Sequence, residues 1–294
     1  MNINTVEETI AGEFGKQIWT KVNRAVKEYE LIRPGDRIAV CISGGKDSML
    51  MAQCISRLSR YGKIPFSAQY LVMDPGYSAT NRQKIEENAE KLGIPVTIRD
   101  TAVFSSVERE QSNPCFLCAR LRRGWLYKTA KEMGCNKIAL GHHFDDVIET
   151  ILMGMLYGSQ MQTMLPKLHS ENYAGMELIR PLYLVREKDI KSWVEHNGLS
   201  FIQCACRMTE NRPADSASSK RAEIKQLLEQ LRKVNPAVDM NIFRSAENVN
   251  LRKLISYHDG EKTHHFLDDY AEGYTVRGTI NKDKGSDLSD FNKV

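Results

Sequence analysis

Short apolar runs alternate with amphipathic stretches along most of this chain. Residues Ile38, Ala39, Val40, Cys41 and Ile42 form an unbroken apolar run, the pattern of a strand buried on both faces. It leads into Ser43-Gly44-Gly45-Lys46-Asp47-Ser48 and then a helical stretch over 49–58. Further strands are predicted over 66–73, 96–98, 137–140 and 177–179. Helices are predicted over 81–92, where Ile85, Ala89 and Leu92 share a face, and over 147–157 and 187–197. Strands that alternate with helices imply an α/β fold with a doubly wound, mostly parallel, five-stranded sheet. Ligands of such sheets sit at the carboxyl ends of the strands. Residues 43–48, Asp74 and 141–146 all fall at such ends. Helices over 17–30 and 220–232 flank this pattern. The stretch 259–294 is polar with few core signals, which predicts a mobile tail or small appendage.

The glycine turn after the first strand is built for an anion. Two glycines let the backbone turn tightly and approach a ligand. The N–H groups of the following helix face that space, and the helix dipole favours negative charge there. Ser43 and Ser48 add hydroxyls, Lys46 a cation, and Asp47 a carboxylate for a metal or a developing charge. A plain Gly-Gly turn with an Asp/Ser cap is the bland alternative. A Walker A loop is excluded, because the glycine that motif needs four residues before Gly-Lys is missing. Gly141-His142-His143-Phe144-Asp145-Asp146 opens another helix at a strand end. Its histidines could be polar caps, or with Asp146 part of a zinc hydrolase, but no third and fourth ligands are near. Beside a phosphate loop, carboxylates here suit magnesium on ATP.

With 294 residues the chain can form one large domain or two modest ones. No apolar run has the length of a membrane span, and residues 1–13 are polar and acidic, unlike a signal peptide, so a cytoplasmic location is expected with no membrane partner. The net charge of +4 does not by itself demand nucleic acid. The clustering of Arg120, Arg122, Arg123 and Lys128, and of Lys220, Arg221, Lys225, Arg232 and Lys233, suits either solvated helix faces or an acidic partner.

The seven cysteines form an odd set, which argues against a disulfide framework. Cys41 and Cys54 sit in apolar stretches and read as core, and Cys135 follows a helix-ending Gly134. Cys115-Phe116-Leu117-Cys118 is a pair spaced to share one metal, and Cys204-Ala205-Cys206 is a second pair. Four thiolates make a structural zinc site, three can hold an iron–sulfur cluster, and a redox pair is a third option. The second pair's spacing is poor for a zinc knuckle.

Taken together, these motifs resemble the tRNA 2-thiocytidine synthetase family, the iron–sulfur-dependent branch of the PP-loop ATP pyrophosphatases. The resemblance rests on SGGKDS at 43–48, PCFLCARLRRG at 114–124, GHHFDDVIET at 141–150, LPKL at 165–168, IRPL at 179–182 and REKDI at 186–190, and it spans roughly residues 16–255. It implies an adenine nucleotide alpha hydrolase-like fold with helical N- and C-terminal additions. The expected divisions are a helical segment 1–34, an ATP-binding domain 35–215, a helical segment 216–258 and the tail 259–294. It implies that ATP adenylates the C2 oxygen of a tRNA cytidine and that sulfur carried by a 4Fe–4S cluster then replaces it. Implied ATP contacts are Ser43, Gly44, Gly45, Lys46, Asp47, Ser48, Met73, Asp74, Gly141, His142 and Asp145, with Mg²⁺ on Asp146. Implied cluster ligands are Cys115, Cys118 and Cys204 or Cys206, and implied catalytic groups are Lys46, Asp47, Cys204 and Cys206. Its second cysteine pair departs from the family pattern, which has C-x-x-C there. Lys167 joins Arg120, Arg122, Arg123 and Lys128 as an expected tRNA contact. A cysteine desulfurase or free sulfide as sulfur donor, and a homodimer, complete the expectation.

Overall fold

The computed structural model describes residues 3–104, 114–202, 220–268 and 270, with the side chains of 3–5 and 114–116 excepted. The chain divides into two units, Met1–Ala246 and Glu247–Val294.

The first unit opens with α1 (Ile3–Ala11), a π-helical turn (Gly15–Trp19) and α2 (Thr20–Glu28). Then come β1 (Arg37–Ile42), α3 (Lys46–Tyr61), β2 (Ser67–Asp74), α4 (Ala79–Lys91), β3 (Val96–Asp100) and α5 (Pro114–Glu132). After them follow β4 (Lys137–Ala139), α6 (Phe144–Gly158), β5 (Lys167–His169), β6 (Glu177–Ile179) and α7 (Glu187–His196). Helices α8 (Lys220–Val234) and α9 (Val238–Ser245) close the unit.

The strands form one sheet in the order β3-β2-β1-β4-β6-β5. All neighbours pair in parallel except β5, which runs antiparallel to β6. The chain therefore moves outward from β1 through β2 to β3 and then restarts on β1's other side at β4. A crevice opens where the strand order reverses, at the carboxyl ends of β1 and β4.

The sheet has six strands where the hydrophobic pattern predicts five. The missed strand, β5, offers one apolar residue, Leu168, between Lys167 and His169, and Leu168 is itself exposed. Its pairing with β6 sets it, not its composition. Helix α1 falls within the helical segment 1–34 that the resemblance implies, although the apolar pattern alone does not show it. Its buried apolar side chains among the described residues are Val6 and Ile10, one turn apart, while Glu7 is buried against Arg57 and Arg60 of α3.

Strand alternation divides the core. Ile38, Val40 and Ile42 face the larger cluster, with α1, α2, α3, α6 and α7 over it. Ala39 and Cys41 face a smaller one with Tyr127, Ala130, Cys135, Ile138 and Leu178 beneath α5. Burial pushes the Cys41 thiol up to about 12 and raises that of Cys54, so both stay protonated packing groups.

The second unit contains a hairpin, β7 (Ser256–His258) and β8 (Thr263–His265). The stretch from 259, expected as a mobile tail or small appendage, thus begins inside a hairpin turn. Asp259 accepts from the N–H groups of Glu261 and Lys262 and from His264 Nε2 (2.7 Å), and Gly260 takes φ +102°.

One buried cation ties the strand starts together. Lys137, 2% exposed, reaches Asp36 at 2.9 Å, Glu177 at 2.8 Å and the Leu31 carbonyl at 3.0 Å. Burial alone would raise the Asp36 carboxyl, but the Arg33 N–H, the Asn136 amide and Lys137 together hold it below its usual range. Glu177 is likewise held low by Lys137 against the opposing effect of burial. Lys137→Met is expected to lose roughly 3–5 kcal/mol of stability by leaving the buried Asp36 and the half-buried Glu177 without a cation. Both groups have lowered values, so the stabilisation is present above about pH 4 and is lost as pH falls through the folded values. Urea unfolding of the two proteins across pH 3–7 should show the gap closing at the acid end.

Candidate active site at the carboxyl ends of the central strands

The turn after β1 has the form its residues predict. Gly44 takes φ +82°, where a side chain would be strained. A Cβ there would also lie 2.6 Å from both Ile202 Cδ1 and Ile85 Cγ1. Gly45 is extended, with φ −80° and ψ 162°, and α3 starts at Lys46 with no side chain capping it. Its first N–H groups are therefore open to an anion. Ser48 Oγ donates to the Gly45 carbonyl (2.9 Å) and accepts from the Ser43 N–H (3.2 Å), which fixes the loop's curvature.

Lys46 Nζ lies 3.1 Å from Asp47 Oδ2 and 3.2 Å from Glu187 Oε1. Burial opposes its charge, but the two carboxylates outweigh that and raise its pKa. Asp47 Oδ1 is buried without a hydrogen-bond partner among the described residues; His143 Nε2 is 3.8 Å away. A buried carboxylate oxygen left open beside a phosphate loop fits a magnesium ion carried by ATP.

The turn after β4 forms the facing wall. A Cβ on Gly141 would come within 3.0 Å of the Ser48 nitrogen, so the two turns touch through a residue with no side chain. His143 caps α6: its Nδ1 accepts from the Asp146 N–H (3.4 Å), and its own N–H donates to Asp146 Oδ2 (3.0 Å). Burial first, then the nearby Arg180 charge, pushes His142 down to about 4, and its Nδ1 is buried without a partner among the described residues. Asp146 faces the cavity between the two turns.

Asp145 does not face that cavity, and its expected contact with ATP is not what its geometry supports. Its carboxylate accepts from Arg186 Nε (3.2 Å), Arg232 Nη2 (2.9 Å) and the Glu187 N–H (2.8 Å). These donors overcome burial and keep it ionised. It joins α6 to α7 and α8. Asp74 is similarly occupied, accepting from the N–H groups of Gly76 and Tyr77 and from Arg82, while Met73 beside it lines the cavity.

The cavity is about 230 Å³, bounded by Ser43, Asp47 and Ser48 on one side and Gly141, His142 and Asp146 on the other. Arg122 and Leu126 of α5 close it. Cys118 lies one turn before Arg122 on the same helix face. Cys115 stands in the first turn of α5, and its side chain lies outside the described residues, as do Cys204 and Cys206. Among the described residues no three metal-binding side chains converge. A mainly apolar cavity of about 670 Å³, walled by Trp19, Leu58, Tyr61 and Phe66, lies at the opposite end of the strands and holds none of the motif residues.

Arg120, Arg123 and Lys128 are exposed on α5. Lys167 donates to the Glu30 carbonyl (3.0 Å) at the surface, and Tyr127 stacks on Tyr173 in the core. Glu187 was not singled out from the sequence, though it stands in the REKDI stretch. Nor was Glu149, whose carboxylate faces Arg221 (3.3 Å) and Lys225 (3.7 Å) of α8.

Two outcomes follow. Gly44→Ala should cost at least ~1–2 kcal/mol from the left-handed backbone and weaken ATP binding about tenfold or more, measured by calorimetry beside a melting curve. His142 is depressed from 6.5 to about 4, so the folded state refuses a proton that the unfolded chain accepts. Stability contributed by that difference is lost as pH falls from about 6.5 towards 4. His142→Gln should flatten the stability profile in that window.

The chain matches the PP-loop domain family over residues 15–210. It is 39% identical over 240 residues to a tRNA-cytidine(32) 2-sulfurtransferase of Vibrio vulnificus (strain YJ016), covering 80% of this chain and 74% of that one. It is 35% identical over 242 residues to the protein of the same name from Citrifermentans bemidjiense, covering 81% and 92%. Among solved structures, the U34-tRNA thiolase NcsA from Methanococcus maripaludis, determined with its 4Fe–4S cluster, shares the fold at TM-score 0.61 and 21% identity, over 78% of this chain and 76% of that one. The phosphate-loop geometry and these likenesses agree: the chain belongs to the PP-loop family and, within it, to the tRNA-cytidine(32) 2-sulfurtransferases.

Proposed function

We propose that this protein thiolates a tRNA cytidine at C2, at position 32 as its relatives' name states, using ATP. The observation that carries the reading is the shared cavity. The start of α3, with the open oxygen of Asp47, and the thiol-bearing helix α5, through Arg122, line the same space.

A pyrimidine C2 oxygen is a very poor leaving group. Attack of that oxygen on the α-phosphorus of ATP forms a C2-adenylate and releases pyrophosphate. A sulfur nucleophile then attacks C2 and AMP leaves. The N–H groups of 43–48 receive the phosphates, with Lys46 transferring from Glu187 to them. Asp47 and Asp146 would hold Mg²⁺, and the backbone at Met73 would meet the adenosine.

Cys115, Cys118 and Cys204 or Cys206 would hold a 4Fe–4S cluster. The donor chemistry fits. Two thiols stand in the first turns of α5, where the helix dipole favours thiolate. Ile202, two residues before Cys204 in the sequence, packs against the Gly44 turn. When bound, the cluster supplies a site that holds sulfur for transfer. The exposed Arg120, Arg123 and Lys128, on the helix that carries these thiols, would meet tRNA phosphate, as would Lys167. The sulfur donor would be a desulfurase or free sulfide, the assembly a homodimer, and the compartment the cytoplasm. No helix of the described residues is long and apolar enough to cross a membrane.

The test uses protein purified without oxygen, with tRNA transcript, ATP, magnesium and sulfide, read by mass spectrometry of nucleosides. Wild type should carry about four irons per chain and yield 2-thiocytidine. Cys118→Ala should lose iron and thiolation but keep ATP binding. Lys46→Ala should lower the rate about 10²-fold or more with iron content unchanged. One firmly held zinc in place of iron, or AMP formation unaffected by Cys118→Ala with no thiolated product from wild type, would overturn the reading. Binding of tRNA should weaken steeply with salt.

A further inference from the structure

Helix α8 carries a row of cations that the proposed mechanism leaves unused. Arg221 Nη1 lies 3.8 Å from Asp146 Oδ1, and its Nε lies 3.3 Å from Glu149 Oε2. Lys225 Nζ lies 3.7 Å from Glu149 Oε1 and 4.0 Å from Glu187 Oε2. The other oxygen of Glu187 holds Lys46 at 3.2 Å. Lys46 of the phosphate loop and Lys225 of α8 therefore stand on opposite oxygens of one carboxylate. Arg221 stands beside Asp146, which lines the nucleotide cavity.

These cations are not what fixes α8 in place. Ile224 and Leu228 are each 1% exposed in the core. Arg232 binds both Asp145 (2.9 Å) and Asp239 (3.0 Å). Arg221 and Lys225, by contrast, are 45% and 47% exposed and hold their partners loosely. Solvated pairs of this kind contribute little to stability.

Local charge gives them a purpose. Asp47 and Glu187 stand beside Lys46 and Asp146 lines the same cavity, so a triphosphate entering that acidic setting meets repulsion. Cations paired to those carboxylates can exchange them for the phosphate oxygens of ATP.

We propose that Arg221 and Lys225 form a second cationic arm of the nucleotide site, receiving the β- and γ-phosphates of ATP and then the released pyrophosphate. This rests on the phosphate-loop reading above. Lys46 holds the phosphates from the loop side, and the α8 pair holds them from the side of α6 and α7. Pyrophosphate departure then requires α8 to release it.

The experiment is calorimetry of the full-length protein with magnesium and inorganic pyrophosphate, ATP or AMP. The proteins are wild type, Lys46→Ala, Arg221→Gln/Lys225→Gln and the exposed control Lys233→Gln. The double variant should weaken pyrophosphate and ATP binding tenfold or more, leave AMP unchanged and melt within a few degrees of wild type. The charge-retaining Arg221→Lys/Lys225→Arg should recover most of the affinity. If Lys46→Ala weakens pyrophosphate binding and the double variant does not, the second arm is overturned and the phosphate-loop reading stands. If neither variant weakens it, both fall. If the double variant melts early, Lys225→Gln alone decides: full pyrophosphate affinity in a folded protein overturns the proposal.

Discussion

The site depends on the close approach of Gly141 to the first turn of α3. Any Cβ on Gly141 would press on Ser48 N at 3.0 Å and on backbone atoms of Asp47 and Ser48 close by. That contact lets the turns after β1 and β4 lie against each other. The amino ends of α3 and α6 are then directed into one cavity, and two helix dipoles favour anions there. A methyl group at Gly141 would separate turns that the parallel pairing of β1 with β4 otherwise holds adjacent. Strand pairing brings the turns near; absent side chains let them touch.

Buried charge is used in two different ways. At the strand starts, Lys137 with Asp36 and Glu177 is enclosed and far from the cavity, so its role is structural. At the strand ends, Asp145 and Asp239 are gripped by Arg186 and Arg232, which joins α6, α7, α8 and α9. Truncating one member of such a network strands a buried charge and is strongly destabilising. Beside that rigid group lie looser pairs around Lys46, Glu187 and Glu149, whose partners are partly solvated. The firm pairs keep the frame while the loose ones remain free to exchange with a ligand.

The sequence carried much of this openly. The apolar run at β1 needs no tertiary information, and neither does SGGKDS, because strand, glycine turn and helix start are contiguous. Strand β5 was hidden because three residues with one apolar side chain have no periodicity to detect, and only β6 supplies their partners. The apolar pattern alone does not show helix α1, because its buried acid, Glu7, reads as surface until Arg57 and Arg60 are placed against it.

Asp145 and Asp146 show most clearly where reading from sequence stops. Adjacent residues on a helix point about 100° apart, so only one of the two can face the cavity. Nothing in Phe144-Asp145-Asp146-Val147 says which. The choice is made by Arg186, forty-one residues on, and Arg232, eighty-seven on, which draw Asp145 away. Asp146, locked to His143 through its own N–H and one carboxylate oxygen, keeps the other oxygen towards Arg221. The same logic explains α8: its cations read as a solvated face until the acidic turn of α6 is folded against them. Short-range pattern thus identifies the phosphate loop, while the division of carboxylates between frame and ligand is written in charges distant along the chain.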